Sequence, residues 1–127
     1  ADLCTPSDGQ RKQGALRIAP VQVTELENAI DQLNSELDPL KSFVLPGGTK
    51  LAALLHGART VVRRAERRVT HLATNESVSP DAIKYLNRLS DLLFVIARYD
   101  NKHSGHGDVL WQPAQGQQAQ QARDEHQ

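Results

Sequence analysis

The chain has 127 residues, and its 15 Lys and Arg balance 15 Asp and Glu to a formal net charge of zero. That balance argues against a general nucleic-acid or membrane-surface binder, which carries a basic excess, and no apolar run approaches the roughly 18 residues of a membrane span. With aromatics at 4% the core must be Leu, Val, Ile and Ala, as in a helix bundle, and one cysteine, Cys4, gives no disulfide framework and suits a reducing, cytoplasmic compartment.

The opening "ADLCTP" reads as the tail of a helix, and further sequence is expected ahead of Ala1. Residues 7–14, "SDGQRKQG", form a polar loop. Pro20 suits a first helical position. Val23, Leu26, Ile30, Leu33 and Leu37 then recur at helical spacing, which predicts a helix from Pro20 to near Asp38-Pro39. This segment is acidic: Glu25, Glu27, Asp31, Glu36 and Asp38 stand without a Lys or Arg. "SFVLPGG" (42–48) is a short apolar connector.

A long helix is predicted from about Thr49 to about Asn75. Leu51, Leu55, Ala58, Val62, Ala65, Val69 and Leu72 alternate spacings of four and three, a bundle seam. "NESVSP" breaks it; its Asn75-Glu76-Ser77 sequon carries no weight alone. Ser79 as N-cap, Pro80 as first residue and Asp81 in the first turn start a last helix that runs to about Lys102. Ala82, Leu86, Leu89, Leu93, Ile96 and Ala97 make its buried face. After Trp111 the Gln-rich "QPAQGQQAQQARDEHQ" is too polar to pack, so residues 112–127 read as a disordered tail behind a helical domain over 1–111. Three helices of this size make a thin bundle, so missing helices or partner subunits must cover its remaining apolar surface.

The stretch "RTVVRRAERRV" places five arginines and Glu66 within ten positions, Arg59 to Arg68. At about 100° per residue, Arg59, Arg63 and Glu66 fall within roughly 60° of one another beside the seam. Arg64, Arg67, Arg68 and His71 point elsewhere and read as a solvated stripe. Near buried surface a charge needs a partner; Glu66 suits Arg63, which leaves Arg59 for an outside anion or for structural ion pairing. A guanidinium fork matches phosphate oxygens. On the last helix Asn87, Asp91 and Arg98 share a stripe with Phe94 at its edge. They form either a solvent face or a set of groups for ribose hydroxyls or a metal–phosphate group. His103 and His106 make an H-x-x-H without a convincing third ligand, so no protein-held metal site is expected. His56 and His71 read as surface or boundary residues.

"FVLPGGTKLAALLHGARTVVRRAERRV" followed by "YLNRLSDLLFVIARY" resembles the PduO-type ATP:cob(I)alamin adenosyltransferases. "ADLCTP" and "LRIAPVQVTELENAIDQLN" fit as well, so the resemblance spans about residues 1–111. It implies an all-α, up-and-down five-helix bundle, of which about four helices are retained here, assembled as a homotrimer with sites between subunits. It implies transfer of the 5′-deoxyadenosyl group of ATP to cob(I)alamin, with release of triphosphate. Arg59 and Arg63 match arginines that meet ATP and the neighbouring subunit. Glu66 matches the glutamate of R-R-A-E-R, Asn87 a nucleotide-contacting asparagine and Asp91 the aspartate of N-R-L-S-D. Lys50 matches a lysine after the Gly pair, and Phe43 a phenylalanine that keeps the lower axial ligand off cobalt. Mg²⁺ is expected with the triphosphate, and delivery of product to an adenosylcobalamin-dependent enzyme is a further expectation. The family's Gly/Thr-rich phosphate loop and first helix are not in this chain and are expected to precede it. Ala19 stands before Pro20 where relatives often carry Ser or Thr as cap. The alternative is a non-catalytic helical module that binds an acidic partner through its Arg-rich helix.

Overall fold

The computed structural model describes residues 1–4 and 16–113. Among these residues the chain forms three α-helices: α1 over Pro20–Asn34, α2 over Lys50–Leu72 and α3 over Pro80–His103. A single 3-10 turn, Asp2–Cys4, stands where a helix tail was expected. It is tied to the start of α1 through Asp2, whose Oδ2 accepts the Ile18 N–H at 2.6 Å and whose Oδ1 pairs with Arg17 at 3.0 Å. The expected tail lies outside the described residues from position 114 onward.

α3 is the central helix, with α2 and α1 packed against it. Its burial follows: Ala82, Val95 and Ala97 are core, and Ser90 and Asn101 are fully enclosed. The expected apolar face of α3 is otherwise half-buried. α2 departs more from expectation. Of the expected seam Val69 is buried and Leu55, Val62 and Ala65 are half-buried, but Leu51, Ala58 and Leu72 are exposed, whereas Ala52 and His56 are buried. The face that α3 covers is rotated by roughly 60° from the apolar seam, toward His56, Arg59 and Glu66. Leu51, Leu54 and Val61 are left on an uncovered flank.

α1 ends at Asn34, short of the expected Asp38, where its last carbonyls close tighter turns: those of Leu33 and Asn34 accept from the N–H groups of Glu36 and Leu37. Arg98 Nη2 donates to the Asp38 carbonyl at 2.8 Å, and Lys102 Nζ donates to that of Glu36. Cations from α3 thus hold the chain that follows α1 by its backbone carbonyls. At the other end Ala19 has no side-chain oxygen to cap the helix. Gln22 Oε1 accepts the Ala19 N–H at 2.9 Å instead.

The apolar connector contains a strand. β1 (Val44–Leu45) pairs antiparallel with β2 (Val109–Leu110), in the register Val44 with Leu110 and Leu45 with Val109. The Trp111 N–H donates to the Phe43 carbonyl at 2.8 Å and the Ser42 hydroxyl to the Trp111 carbonyl at 2.9 Å. Two-residue strands carry no readable periodicity, and their pairing partner is remote in sequence, so pattern alone did not reveal them.

Between β1 and α2 the chain turns at Gly47-Gly48. Gly48 has φ +96°, in the left-handed region, and a Cβ there would lie 2.1 Å from Asn101 Oδ1. Asn101 holds both sides of the turn. Its Nδ2 donates to the Gly47 carbonyl at 3.0 Å and its Oδ1 accepts the Thr49 N–H at 2.9 Å. Thr49 then caps α2, its hydroxyl oxygen accepting from Ala52 N at 3.0 Å while donating to Asp100. The hairpin, the turn and the start of α2 are thereby fixed to the end of α3.

Candidate functional site

The groove between α2 and α3 brings together three of the expected residues. Arg59, on the covered face of α2, lies over Phe94 of α3, its Cζ 5.0 Å from the ring centroid. Such a cation–ring contact holds a guanidinium by its flat face and leaves its edge for hydrogen bonding. The Arg59 Nε is buried and has no partner. Two turns later on the same face, Glu66 Oε1 accepts from Asn87 Nδ2 at 3.5 Å, while Oε2 is buried and unpartnered. Asn87 is held from its other side, where its Oδ1 accepts from Arg88 Nη1 at 2.5 Å. Arg88 in turn pairs with Glu27 of α1 at 2.9 Å. A cation and an anion, each with an unused buried atom, thus share one wall with an amide. Native interiors rarely leave such atoms unpaired, which singles out this wall of α2 and α3 as the candidate site.

Other expected residues sit differently. Glu66 does not pair with Arg63 among the described residues; Arg63 is exposed, and Asn87 takes the expected partner's place. Asp91 is exposed on α3. Lys50 is exposed at the first position of α2. Phe43 is 78% exposed on the hairpin, edge-on to Trp111 with centroids 6.3 Å apart. Lys50 and Phe43 therefore belong to the hairpin end of the bundle, set by the Asn101 anchor. Arg98 leaves the expected stripe altogether: it is buried, with its Nε 2.9 Å from Asp108 Oδ2.

Sequence reasoning missed His56, Asn101 and Asp108. His56 is buried against Phe94, ring centroids 5.9 Å apart, with Nε2 unpartnered. Its pKa lies below the ordinary 6.5 because burial, then Arg59, disfavour the imidazolium, against the opposing pull of Asp108. A signal existed for one of them: Asn101 stands four residues after Ala97, on the face of the last helix expected to be buried, whereas the register of His56 and Ala52 was set only by packing. A polar residue on a buried face needs a job. For Asp108, in a Gly-rich loop, there was none.

His103 stacks on Tyr99 at 4.0 Å, and His106 Nδ1 meets Ser104 Oγ at 3.2 Å. No group of three metal-ligating side chains occurs among the described residues. No helix among them is long and apolar enough to cross a membrane. The outer arginines behave as expected: Arg64, Arg67, Arg68 and His71 are exposed around a shallow depression of about 560 Å³. A second cavity of about 700 Å³ opens between the end of α1 and the Arg98–Asp108 pair and includes none of the catalytic or nucleotide residues expected from the sequence.

Residues 1–100 match the family model for cobalamin adenosyltransferase. The chain belongs to the cobalamin adenosyltransferase family. Among related members, the corrinoid adenosyltransferase of Mycobacterium tuberculosis is 54% identical over 115 residues, covering 89% of this chain and 58% of the relative. That of Bacillus subtilis is 48% identical over 96 residues, covering 76% of this chain and 50% of the relative. In three dimensions the chain resembles a phenylalanine-to-alanine variant of the PduO-type ATP:corrinoid adenosyltransferase from Lactobacillus reuteri complexed with cobalamin and ATP. The TM-score is 0.78 at 38% identity, covering 88% of this chain and 61% of that one. An arginine-to-lysine variant of that enzyme, complexed with ATP, gives 0.77 at 38% identity, covering 87% and 61%. The chain thus spans roughly half to three-fifths of these family members.

Proposed function

We propose that the protein to which this chain belongs transfers the 5′-deoxyadenosyl group of ATP to cob(I)alamin, giving adenosylcobalamin and triphosphate. The observation that carries this reading is Arg59: a guanidinium laid on Phe94 with a buried, unpaired Nε, beside the Glu66–Asn87 pair. Membership of the family and the likeness to relatives complexed with cobalamin and ATP support it.

The reaction needs no general base. Cobalt(I) supplies the electron pair of the new cobalt–carbon bond at the ribose C5′, and triphosphate leaves with the pair of the C5′–O bond that breaks. The protein's part is placement and charge. Holding C5′ in line with cobalt removes much of the barrier. Arg59, Arg63 and Lys50 are fixed cations for the charge that grows on the departing triphosphate. Asn87 and Glu66 offer an amide and a carboxylate oxygen to the nucleoside, and Asp91 supplies a further carboxylate from the exposed side of α3. The described residues form no metal cage of their own. Mg²⁺ would come as a companion of the triphosphate and would add positive charge there, with Glu66 Oε2 as an unpaired carboxylate oxygen on the same wall. Phe43, projecting from the hairpin, is the apolar wedge that excludes a lower ligand from cobalt and eases its reduction.

The exposed flank of Leu51, Leu54 and Val61 fits a homotrimer in which neighbouring bundles complete the site. The same reading places the protein in the cytoplasm, with no nucleic-acid partner, and has it hand adenosylcobalamin to an enzyme that consumes it. A visible spectrum of the full-length protein with ATP and cob(II)alamin under reducing conditions tests the reading. Bands of four-coordinate cobalt followed by those of the cobalt–carbon bond are expected. Unchanged cob(II)alamin throughout would refute it.

A further inference from the structure

His56 lies one turn before Arg59 on the same face of α2, and the nucleotide reading gives it no task. It is 4% exposed. Its ring meets Phe94 edge to face, at 5.9 Å and 68°. The guanidinium of Arg59 lies over that same ring at 5.0 Å. Imidazole and guanidinium therefore share one aromatic plate, and a shift of either moves the plate beneath the other. His56 Nε2 is enclosed and unpartnered. A leucine would fill this volume without leaving a nitrogen unpaired, which makes the polar ring informative.

Resting on the nucleotide reading of Arg59, we propose that His56 is a positioning residue for that arginine. Its uncharged ring wedges Phe94 into the orientation on which the guanidinium lies, and uptake of a proton releases both. The charged groups around His56 set the direction. Arg59, on its own helix, opposes a second cation. Asp108, ahead of β2, attracts one, and its Oδ1 is unpartnered although Arg98 of α3 holds Oδ2. Because burial and Arg59 depress the His56 pKa below 6.5, the imidazole is neutral at neutral pH and charges only in acid. Once charged it is repelled by Arg59 and drawn toward Asp108 Oδ1, away from the plate.

The test follows Arg59 directly in the full-length protein. Its Nε resonance, assigned by its loss in Arg59→Lys, is recorded by ¹⁵N NMR from about pH 7.5 to about pH 5. In the wild-type protein it is expected to move with a midpoint below 6.5. In His56→Gln, uncharged throughout, it is expected to stay in place, with His56→Asn as a second uncharged variant. Affinity for ATP, measured calorimetrically over the same range, is expected to fall about tenfold in the wild type and less than about threefold in His56→Gln. Protonation of ATP itself is common to both proteins and cancels in the comparison. An Arg59 resonance that does not titrate, or titrates alike in wild type and His56→Gln, overturns the inference. If it titrates as expected while neither protein binds ATP at any pH, the coupling of His56 to Arg59 stands and the nucleotide reading falls.

Discussion

Replacing Gly48 with alanine concentrates several costs at one atom. The residue has φ +96°, a region that costs an L-residue about 1–2 kcal/mol. The new Cβ would also lie 2.1 Å from Asn101 Oδ1 and 2.5 Å from Nδ2, so Asn101 must move. Asn101 is fully enclosed and cannot exchange its bonds for water. Its contacts to the Gly47 carbonyl and the Thr49 N–H are the ones at risk, each worth about 1 kcal/mol and more if the partner is left buried and unpaired. Together these predict a loss of about 3–5 kcal/mol, which lowers Tm by roughly 10 °C in a protein of moderate size. Thermal and urea unfolding of the full-length protein measure it. The mechanism is separated from simple strain by a double-mutant cycle. In an Asn101→Ala background the collision is gone, so Gly48→Ala should cost only the backbone share, about 1–2 kcal/mol. An equal penalty in both backgrounds would show that Asn101 is not what the turn leans on, and the anchoring argument for the hairpin would fail.

Three further outcomes are expected. Arg98→Met strands the half-buried Asp108 and removes the donor to the Asp38 carbonyl, so urea unfolding should report a loss of about 2–4 kcal/mol, much of it recovered by Asp108→Asn in the same protein. Arg59→Ala, folded and soluble in the full-length protein, should lower kcat/KM for adenosyl transfer at least about tenfold, since a charge-assisted hydrogen bond is worth roughly 1.5–3 kcal/mol; unchanged kinetics would remove Arg59 from the site. Phe43→Ala, at a largely exposed position, should leave Tm and ATP affinity nearly unchanged yet slow formation of the cobalt–carbon bond. Weakened ATP binding instead would place Phe43 against the nucleotide.

What the sequence determined by itself was local. Helix existence followed from 3.6-residue periodicity and from Pro20, Thr49 and Pro80 at the helix starts, because propensity and capping act over a few residues. The family likewise was legible, since runs such as "RRAERR" and "LNRLSD" keep their order whatever the packing. Tertiary structure decided which face of α2 turns inward. The apolar seam ran through Leu51 and Ala58 as well as Leu55 and Val69; the covered face keeps Leu55 and Val69 but turns from Leu51 and Ala58 toward His56, Arg59 and Glu66. Periodicity gives the angle between side chains on one helix and says nothing about the azimuth at which another helix lands. The same limit hid the partners of Glu66 and Arg98 and the hairpin that holds Phe43. Asn87 and Trp111 are far along the chain from Glu66 and Phe43, and Asp108 meets Arg98 only because the loop beyond α3 folds back onto it.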